Sequence, residues 1–344
     1  MTGQTNEPRC ADAHRAPAIN RRSAFGIGAG ALAGVLARPA VSAAASLPPG
    51  PVTIVIPTAA GGQADIVGRL IGNRMSEIIG RPVIIEAKPG GGGLFAGQAV
   101  ATAAPNGSTL LFVTGAHSIL PGIHRKTIKF DAVRDFSFIS TISTVAFAVS
   151  VGPDHPARSF AELIDLSRKS PDSQSFTSVG VGSTHHLIDE LIQRSYGVKW
   201  THVPYRGGSA GPLDVSAGRV SVAIDTMLVT VPLVQGGKLR ALAVSQKPRS
   251  PQLPDVPAIS ELPPGVDTGS YLGLAAPAKT PKEIVDLLNQ AMVTAVNDPA
   301  IQERLRTLGN NPLASTPEEF SKRVEGDVSR WTKLITDLGI EANP

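Results

Sequence analysis

The chain alternates short β-branched runs with stretches whose apolar residues recur every three or four positions. That pattern predicts strands interleaved with helices, an α/β fold with a largely parallel sheet. Val52 to Ile56 predicts a buried strand, followed by the glycine-bearing turn 57–65. Ile66, Leu70, Ile71, Met75, Ile78 and Ile79 then share one helix face, and Gly80 supplies the stop. A strand at 82–86, four glycines at 90–93, a helix at 94–103 and a strand at 109–114 complete a βαβαβ unit.

Residues 147–151 predict a further strand, and Ser159-Phe160-Ala161-Glu162 is a capping box that opens a helix. Runs at 175–178, 201–204, 220–225 and 239–245 supply a second set of strands, and 271–277 reads as a return strand. The body therefore divides into a first lobe, 46–145 plus 269–344, and a second lobe, 146–268. The C-terminal region is helical. Thr280-Pro281-Lys282-Glu283 and Thr316-Pro317-Glu318-Glu319 each pair a Thr cap with Pro at the first helical position and a capping Glu, and Asp298-Pro299 marks a third start.

Charge changes the picture at one end only. The 344 residues carry 32 Lys plus Arg against 28 Asp plus Glu, and the isoelectric point is about 9.3. Residues 1–43 hold Arg9, Arg15, Arg21, Arg22 and Arg38 against Glu7 and Asp12, which leaves 27 basic and 26 acidic residues in the rest. That near-neutral body lacks the basic footprint of a nucleic-acid binder, so no nucleic-acid partner is expected. Arg21-Arg22 precede the apolar run 24–36, too short to span a bilayer, and small residues follow at 41–45. Residues 1–45 accordingly read as an export signal, by the general or the twin-arginine route, that is removed. Cys10, the one cysteine, leaves with it. Disulfides, thiolate metal sites and cysteine nucleophiles are thereby excluded from the mature chain. A soluble periplasmic protein is expected.

Several motifs carry candidate chemistry. The G-x-S-x-G match at 207–211 has the form of a nucleophile elbow, but no histidine follows His202 to complete a Ser, acid, His order. A glycine-rich turn is the favoured reading, with a periplasmic hydrolase using Ser209 or Ser183 as the alternative from another class. His185 with Asp189, and His186 with Glu190, stand four apart on a helix. Neither pair has a third ligand, and His117 and His124 are likewise unpaired, so no metal is expected. No cofactor is expected either, because the body holds no P-loop or dinucleotide fingerprint.

What recurs is a strand, a Gly/Ser-rich turn and a helix, at 58–65, 178–184 and 206–211. Such turns aim backbone N–H groups and a positive helix end at the crevice beyond the strand ends, an anion site that needs no lysine or arginine. Three or four charge-assisted hydrogen bonds of ~1.5–3 kcal/mol each suffice for a micromolar site near ~−8 kcal/mol after association costs.

Ile56-Pro57 with Ala59, Gly61-Gly62 and Asp65 stand in the first turn, followed by Pro89-Gly90 with Gly92-Gly93 and Gly97, and by Ala104-Pro105-Asn106-Gly107. Ser178, Gly180, Gly182-Ser183 and His186 come next, then His202-Val203-Pro204-Tyr205-Arg206-Gly207 and Gly237-Lys238-Leu239-Arg240. Leu253-Pro254-Asp255-Val256-Pro257 and Gly273-Leu274 with Ala276-Pro277 complete the series. In this order and spacing the residues resemble the tripartite tricarboxylate transporter substrate-binding proteins, the Bug family of periplasmic receptors, over essentially the whole mature chain.

The resemblance implies a two-lobed periplasmic-binding-protein fold of the type II, Venus flytrap kind, each lobe a mostly parallel sheet flanked by helices. It implies a non-enzymatic, monomeric receptor that closes on a small organic carboxylate and delivers it to membrane permease subunits, with a hinge near 145–152 and 268–277. A receptor that feeds a two-component sensor is the alternative. Carried over, the ligand lies between the first loop, with Thr58, Ala60, Gly61, Gly62 and Asp65, and the opposite loop, with Ser178, Gly182 and Ser183. Tyr205 and Asp225 shape the rest of the pocket, and Thr114 to Ser118, His117 among them, line it from the first lobe. Asp65 is expected to organise its helix start and not to touch the anion. The family has an aromatic where Thr58 stands and a hydroxyl residue where Ala64 stands, which implies a wider pocket poorer by one hydroxyl. Family ligands span dicarboxylates, tricarboxylates, acidic amino acids and aromatic acids.

Overall fold

The computed structural model describes residues 47–205, 210–245, 249–266 and 268–340. The export-signal reading of 1–45 and the segment Gly207-Gly208-Ser209 lie outside the described residues. The chain opens with β1 (Val52–Ile56), α1 (Gln63–Ile79), β2 (Val83–Ala87), α2 (Leu94–Ala101) and β3 (Thr109–Thr114). α3 (Leu120–Ile123) and β4 (Phe136–Val145) follow, and Ala146 alone separates β4 from β5 (Phe147–Val151). Next come α4 (Phe160–Lys169), β6 (Ser175–Ser178), α5 (Thr184–Tyr196), β7 (Thr201–Pro204), α6 (Ala210–Ser216), β8 (Val222–Thr226), α7 (Met227–Gln235) and β9 (Arg240–Val244). β10 (Ser270–Pro277), α8 (Lys282–Val296), α9 (Pro299–Thr307), β11 (Asn310–Pro312) and α10 (Pro317–Leu338) end the described chain.

The strands form two sheets, ordered β11-β4-β10-β3-β1-β2 and β7-β6-β8-β5-β9. β1 is parallel to β2 and β3, and β6 is parallel to β7 and β8. β10 runs antiparallel to β3 and β4, β11 antiparallel to β4, and β5 antiparallel to β8 and β9. Both sheets are therefore mixed, where strand–helix alternation predicts mostly parallel pairing. The parallel half of each sheet comes from local βαβ units, whose crossovers force parallel neighbours. The antiparallel half contains β4, β5 and β10, the strands that carry the chain from one sheet to the other.

β4 is the strand that periodicity does not predict. Its apolar residues Ile139, Ile142 and Val145 stand three apart, with Ser140, Thr141 and Ser143 buried between them. Burial is tolerated because the hydroxyls find partners. Ser140 Oγ accepts the Ser315 N–H at 2.9 Å, and Thr141 Oγ1 donates to the Leu313 carbonyl at 2.6 Å.

The helix starts and stops that the sequence marks follow cap chemistry, with one exception. Gly80 ends α1 at φ 66. Thr316 and Glu319 form a complete capping box on α10, and Asp298 caps α9 through the Ala300 N–H at 2.9 Å. Ser159 accepts the Glu162 N–H at 3.2 Å, while the Glu162 carboxylate takes the Arg158 N–H. At α8 the expected Thr280 cap is not made: Thr280 Oγ1 donates to the Pro277 carbonyl at 2.7 Å, and Pro281 stands before the first helical residue. Among the described residues no helix is long and apolar enough to cross a membrane.

Candidate functional site

A cleft of about 870 Å³ opens where the two sheets meet, walled largely by strand-to-helix junctions. α1 contributes Gly62, Gln63 and Ala64; α5 contributes Ser183, Thr184 and His185. Each set is the residue before the helix and its first two positions. First-turn amides have no partner within their own helix and carry the positive end of its dipole. The Gln63, Ala64, Thr184 and His185 N–H groups are therefore the natural anion donors of the wall. No lysine, arginine, aspartate or glutamate lines the cleft among the described residues. Ile119, Leu120, Ile123, Phe147 and Leu272 supply an apolar surface beside these donors.

The loop glycines serve a different purpose from the one their sequence suggests. The Gly61 N–H donates to Asp65 Oδ2 at 2.9 Å, and Asp65 Oδ1 pairs with Arg69 Nε at 2.8 Å. Asp65 thus ties the first loop to its helix. In the second loop the Gly180 N–H donates to Ser178 Oγ at 3.0 Å, and the Gly182 N–H donates to His186 Nδ1 at 3.1 Å. Ser178 Oγ also meets His202 Nε2 at 2.6 Å, and the His186 and His202 rings stack at 4.2 Å. Burial and the neighbouring His186 push the His202 imidazole down to about 4. Ser183 caps α5, accepting the His186 N–H at 3.3 Å. The Gly61, Gly180 and Gly182 amides are engaged within their own loops, which leaves the first-turn amides of α1 and α5 as the backbone donors at the wall.

Of the expected site residues, Thr58, Gly62, Thr114, Gly182, Ser183 and Tyr205 line the cleft. Tyr205 donates its hydroxyl to Asp214 Oδ2 at 2.6 Å, and burial together with that carboxylate pushes its phenol up to about 12. Ala60, Gly61, Asp65, His117, Ser178 and Asp225 do not line it. Ala60 and Gly61 lie on the exposed outer side of their loop, and Asp65 and Ser178 are turned beneath theirs. His117 is buried in an aromatic cluster, its Nε2 2.7 Å from the Ala132 carbonyl and its ring edge-on to Phe136 at 4.9 Å. Asp225 stands behind His185, whose Nε2 lies 3.6 Å from its Oδ1, and takes the Thr226 N–H at 2.7 Å.

The sequence reading overlooked several wall residues. Gly91 and Gly92, with φ of 58 and 65, reach the cleft because the glycine run allows a left-handed turn there. The Gly91 carbonyl faces His124 Nε2 at 2.9 Å, which gives that unpaired histidine its role. His185 was visible only as a partner for Asp189, yet the structure turns it to Asp225, while His186 Nε2 lies 3.4 Å from Glu190 Oε1. Among the described residues no group of His, Cys, Asp and Glu side chains converges to hold a metal ion. The Ser178–His202 pair sits beneath its loop and outside the cleft wall, in no position to present a nucleophile.

A two-lobed α/β fold with a cleft between two mixed sheets, walled by helix N-termini, defines a solute-binding receptor of the periplasmic-binding-protein class. Residues 67–340 match the profile of the tripartite tricarboxylate transporter family receptor, and the chain belongs to that family. The fold is similar to that of an R. palustris protein solved with adipate, 33% identical, with a TM-score of 0.75 and coverage of 86% of this chain and 99% of that one. It is similar to the periplasmic binding protein BugD, 30% identical, TM-score 0.73, covering 86% and 100%. MatC of Rhodopseudomonas palustris with bound malate is 29% identical, TM-score 0.73, covering 84% and 100%.

Proposed function

We propose that this protein is a periplasmic receptor that binds a small organic carboxylate in the cleft and passes it to the membrane permease subunits of a tripartite tricarboxylate-type transporter, acting as a monomer and catalysing no reaction. One observation carries the reading: the N-termini of α1 and α5, one from each lobe, face the same cleft, which no lysine or arginine lines among the described residues. A carboxylate seated there accepts first-turn amides from both lobes and holds them together. The lobes, 46–145 plus 269–344 and 146–268, turn about Ala146 and the chain entering β10. Closure excludes water, which strengthens each hydrogen bond, and the closed shape is what the permease reads. The carboxylates bound by the adipate and malate relatives are in keeping with this ligand class.

Isothermal titration of ligand-stripped protein against a panel of mono-, di- and tricarboxylates and neutral solutes tests the reading. Binding of at least one carboxylate is expected. A protein that bound neutral solutes and no carboxylate would overturn it.

A further inference from the structure

The last helix starts in the first lobe and does not end there. Near its start, α10 is fixed in the first lobe's core, where the Phe320 ring meets Phe138 at 5.2 Å and Tyr271 at 5.4 Å. Farther along, it lies so close to α3 that a Cβ added at Gly122 would stand 2.6 Å from Ile335 Cδ1 and 3.3 Å from Thr332 Cα. α3 in turn carries Leu120 and Ile123 of the cleft wall. The final turn then reaches the second lobe. Asp337 Oδ2 accepts from Arg194 Nη1 of α5 at 3.0 Å, and from Lys333 Nζ of its own helix at 2.9 Å. Lys333 and Arg194 together hold the Asp337 carboxyl below the usual carboxylate range. α5 is the helix whose N-terminus walls the cleft from the second lobe.

Resting on the receptor reading, in which the lobes turn about Ala146 and the chain entering β10, we propose that the end of α10 is a closure latch: Arg194 and Asp337 pair when the lobes close and part when they open. The latch sets how long a captured carboxylate stays without touching it.

The argument is one of leverage. Val145 and Phe147 flank Ala146 and line the cleft, so the turning point lies at the level of the cleft. Lobe-to-lobe contacts near that point survive a rotation. Gly309 makes such a contact: a Cβ there would stand 2.6 Å from Met227 Cβ, and the Met227 N–H donates to the Ala146 carbonyl at 3.3 Å. α5 leads away from this level. At about 1.5 Å per residue, Arg194 stands ~15 Å along the helix from Thr184 at the cleft. A rotation that leaves Gly309 beside Met227 moves the far end of α5 through a longer arc, and an ion pair ends beyond about 4 Å. Lys333 keeps Asp337 paired after Arg194 departs, so opening leaves no bare carboxylate. The Arg194 and Asp337 side chains are 49% and 30% exposed. A pair so placed is weak and screened by salt, which suits a latch that must release: it shifts the balance between open and closed forms and does not lock it.

The test bridges the two positions. In a Cys10→Ser background the sequence has no cysteine of its own, so Arg194→Cys with Asp337→Cys can be joined by a short bis-methanethiosulfonate reagent and freed by reduction. Without ligand, small-angle scattering should give a smaller radius of gyration for the bridged protein than for the same protein reduced. With the tightest-binding carboxylate of the panel as a radiolabelled probe, bridging after loading should slow release by about tenfold or more, and reduction should restore it. In the unbridged chain, Arg194→Gln should speed release by about two- to fivefold at low salt, with the difference gone at ~0.5 M salt. Asp337→Asn should act alike, and the double variant should be no faster than either single one. Thermal unfolding reports that each variant is folded. A bridged protein that scatters like its reduced form, or releases the probe at the reduced rate, marks the contact as a pivot and overturns the latch while leaving the receptor reading intact. Rates that multiply in the double variant overturn the pairing in the same way. A protein that contracts on bridging and binds no carboxylate overturns the receptor reading and leaves the latch standing.

Discussion

His117 offers a stability test that separates its structural position from the binding role its sequence context suggests. Its side chain is 5% exposed, and its Nε2 meets the Ala132 carbonyl at 2.7 Å. Burial holds the imidazole down at about 4, whereas a histidine in the unfolded chain titrates near ~6.5. Below that value the unfolded chain takes up a proton that the folded chain refuses. Stability is therefore present above pH ~6.5, declines as pH falls, and is fully lost below about 4. At 1.36 kcal/mol per pH unit the complete loss is about 3 kcal/mol, of which about 2 kcal/mol falls between pH 7 and pH 5. His117→Gln keeps an N–H for Ala132 and does not titrate. Urea unfolding of both proteins at pH 7 and pH 5 should show a loss on acidification that is smaller by about 2 kcal/mol in the variant. His202, pushed down for similar reasons, titrates in both proteins and cancels. Equal losses would refute the argument that burial holds His117 neutral. Carboxylate affinity at pH 7 should match wild type, because His117 lies away from the cleft.

Three further outcomes follow from the loops. A Cβ added at Gly182, where φ is 74, would lie 2.9 Å from Ile123 Cδ1 across the cleft; Gly182→Ala should weaken ligand binding about tenfold by titration calorimetry, and adding Ile123→Ala should restore part of it. Asp65→Ala frees the Gly61 N–H and should lower unfolding free energy by about 2 kcal/mol along with affinity, while Asp65→Asn, which keeps an acceptor, recovers most of both; an Ala variant with wild-type affinity would remove the loop tether from the binding argument. Ser183→Ala deletes the α5 cap and should cost about 1 kcal/mol of stability by denaturant titration. It should also weaken carboxylate binding by about 1–3 kcal/mol, and unchanged affinity would confine Ser183 to its capping role.

Much of this architecture is legible along the chain. The βαβαβ opening, Gly80 as the end of α1, the capping box at Thr316, and the strands at 175–178 and 201–204 all follow from local pattern, because caps, turns and apolar period are properties of neighbouring residues. β4 is not legible, because buried Ser140, Thr141 and Ser143 are acceptable only once hydrogen-bond partners arrive from distant segments. Thr280 misleads as a cap because α8 starts one residue later than the pattern implies: Pro281 holds the cap position, and the Thr280 hydroxyl donates to the Pro277 carbonyl.

For the site, the sequence alone determined that two glycine-bearing turns precede amphipathic helices and that Asp65 serves its own loop. Those are local facts of spacing and cap chemistry. It could not decide which polar groups face the ligand space. Whether Gly61, Gly180 and Gly182 donate to an anion or to Asp65, Ser178 and His186 depends on how each loop folds back on itself. Whether His117 or His185 stands in the cleft depends on packing between segments far apart in the chain: Ala132, Phe130 and Phe136 enclose one, and Phe147 and Asp225 flank the other. Histidines of the same chemistry are thus sorted into core and cleft wall by the tertiary neighbours that enclose them, which no local pattern encodes.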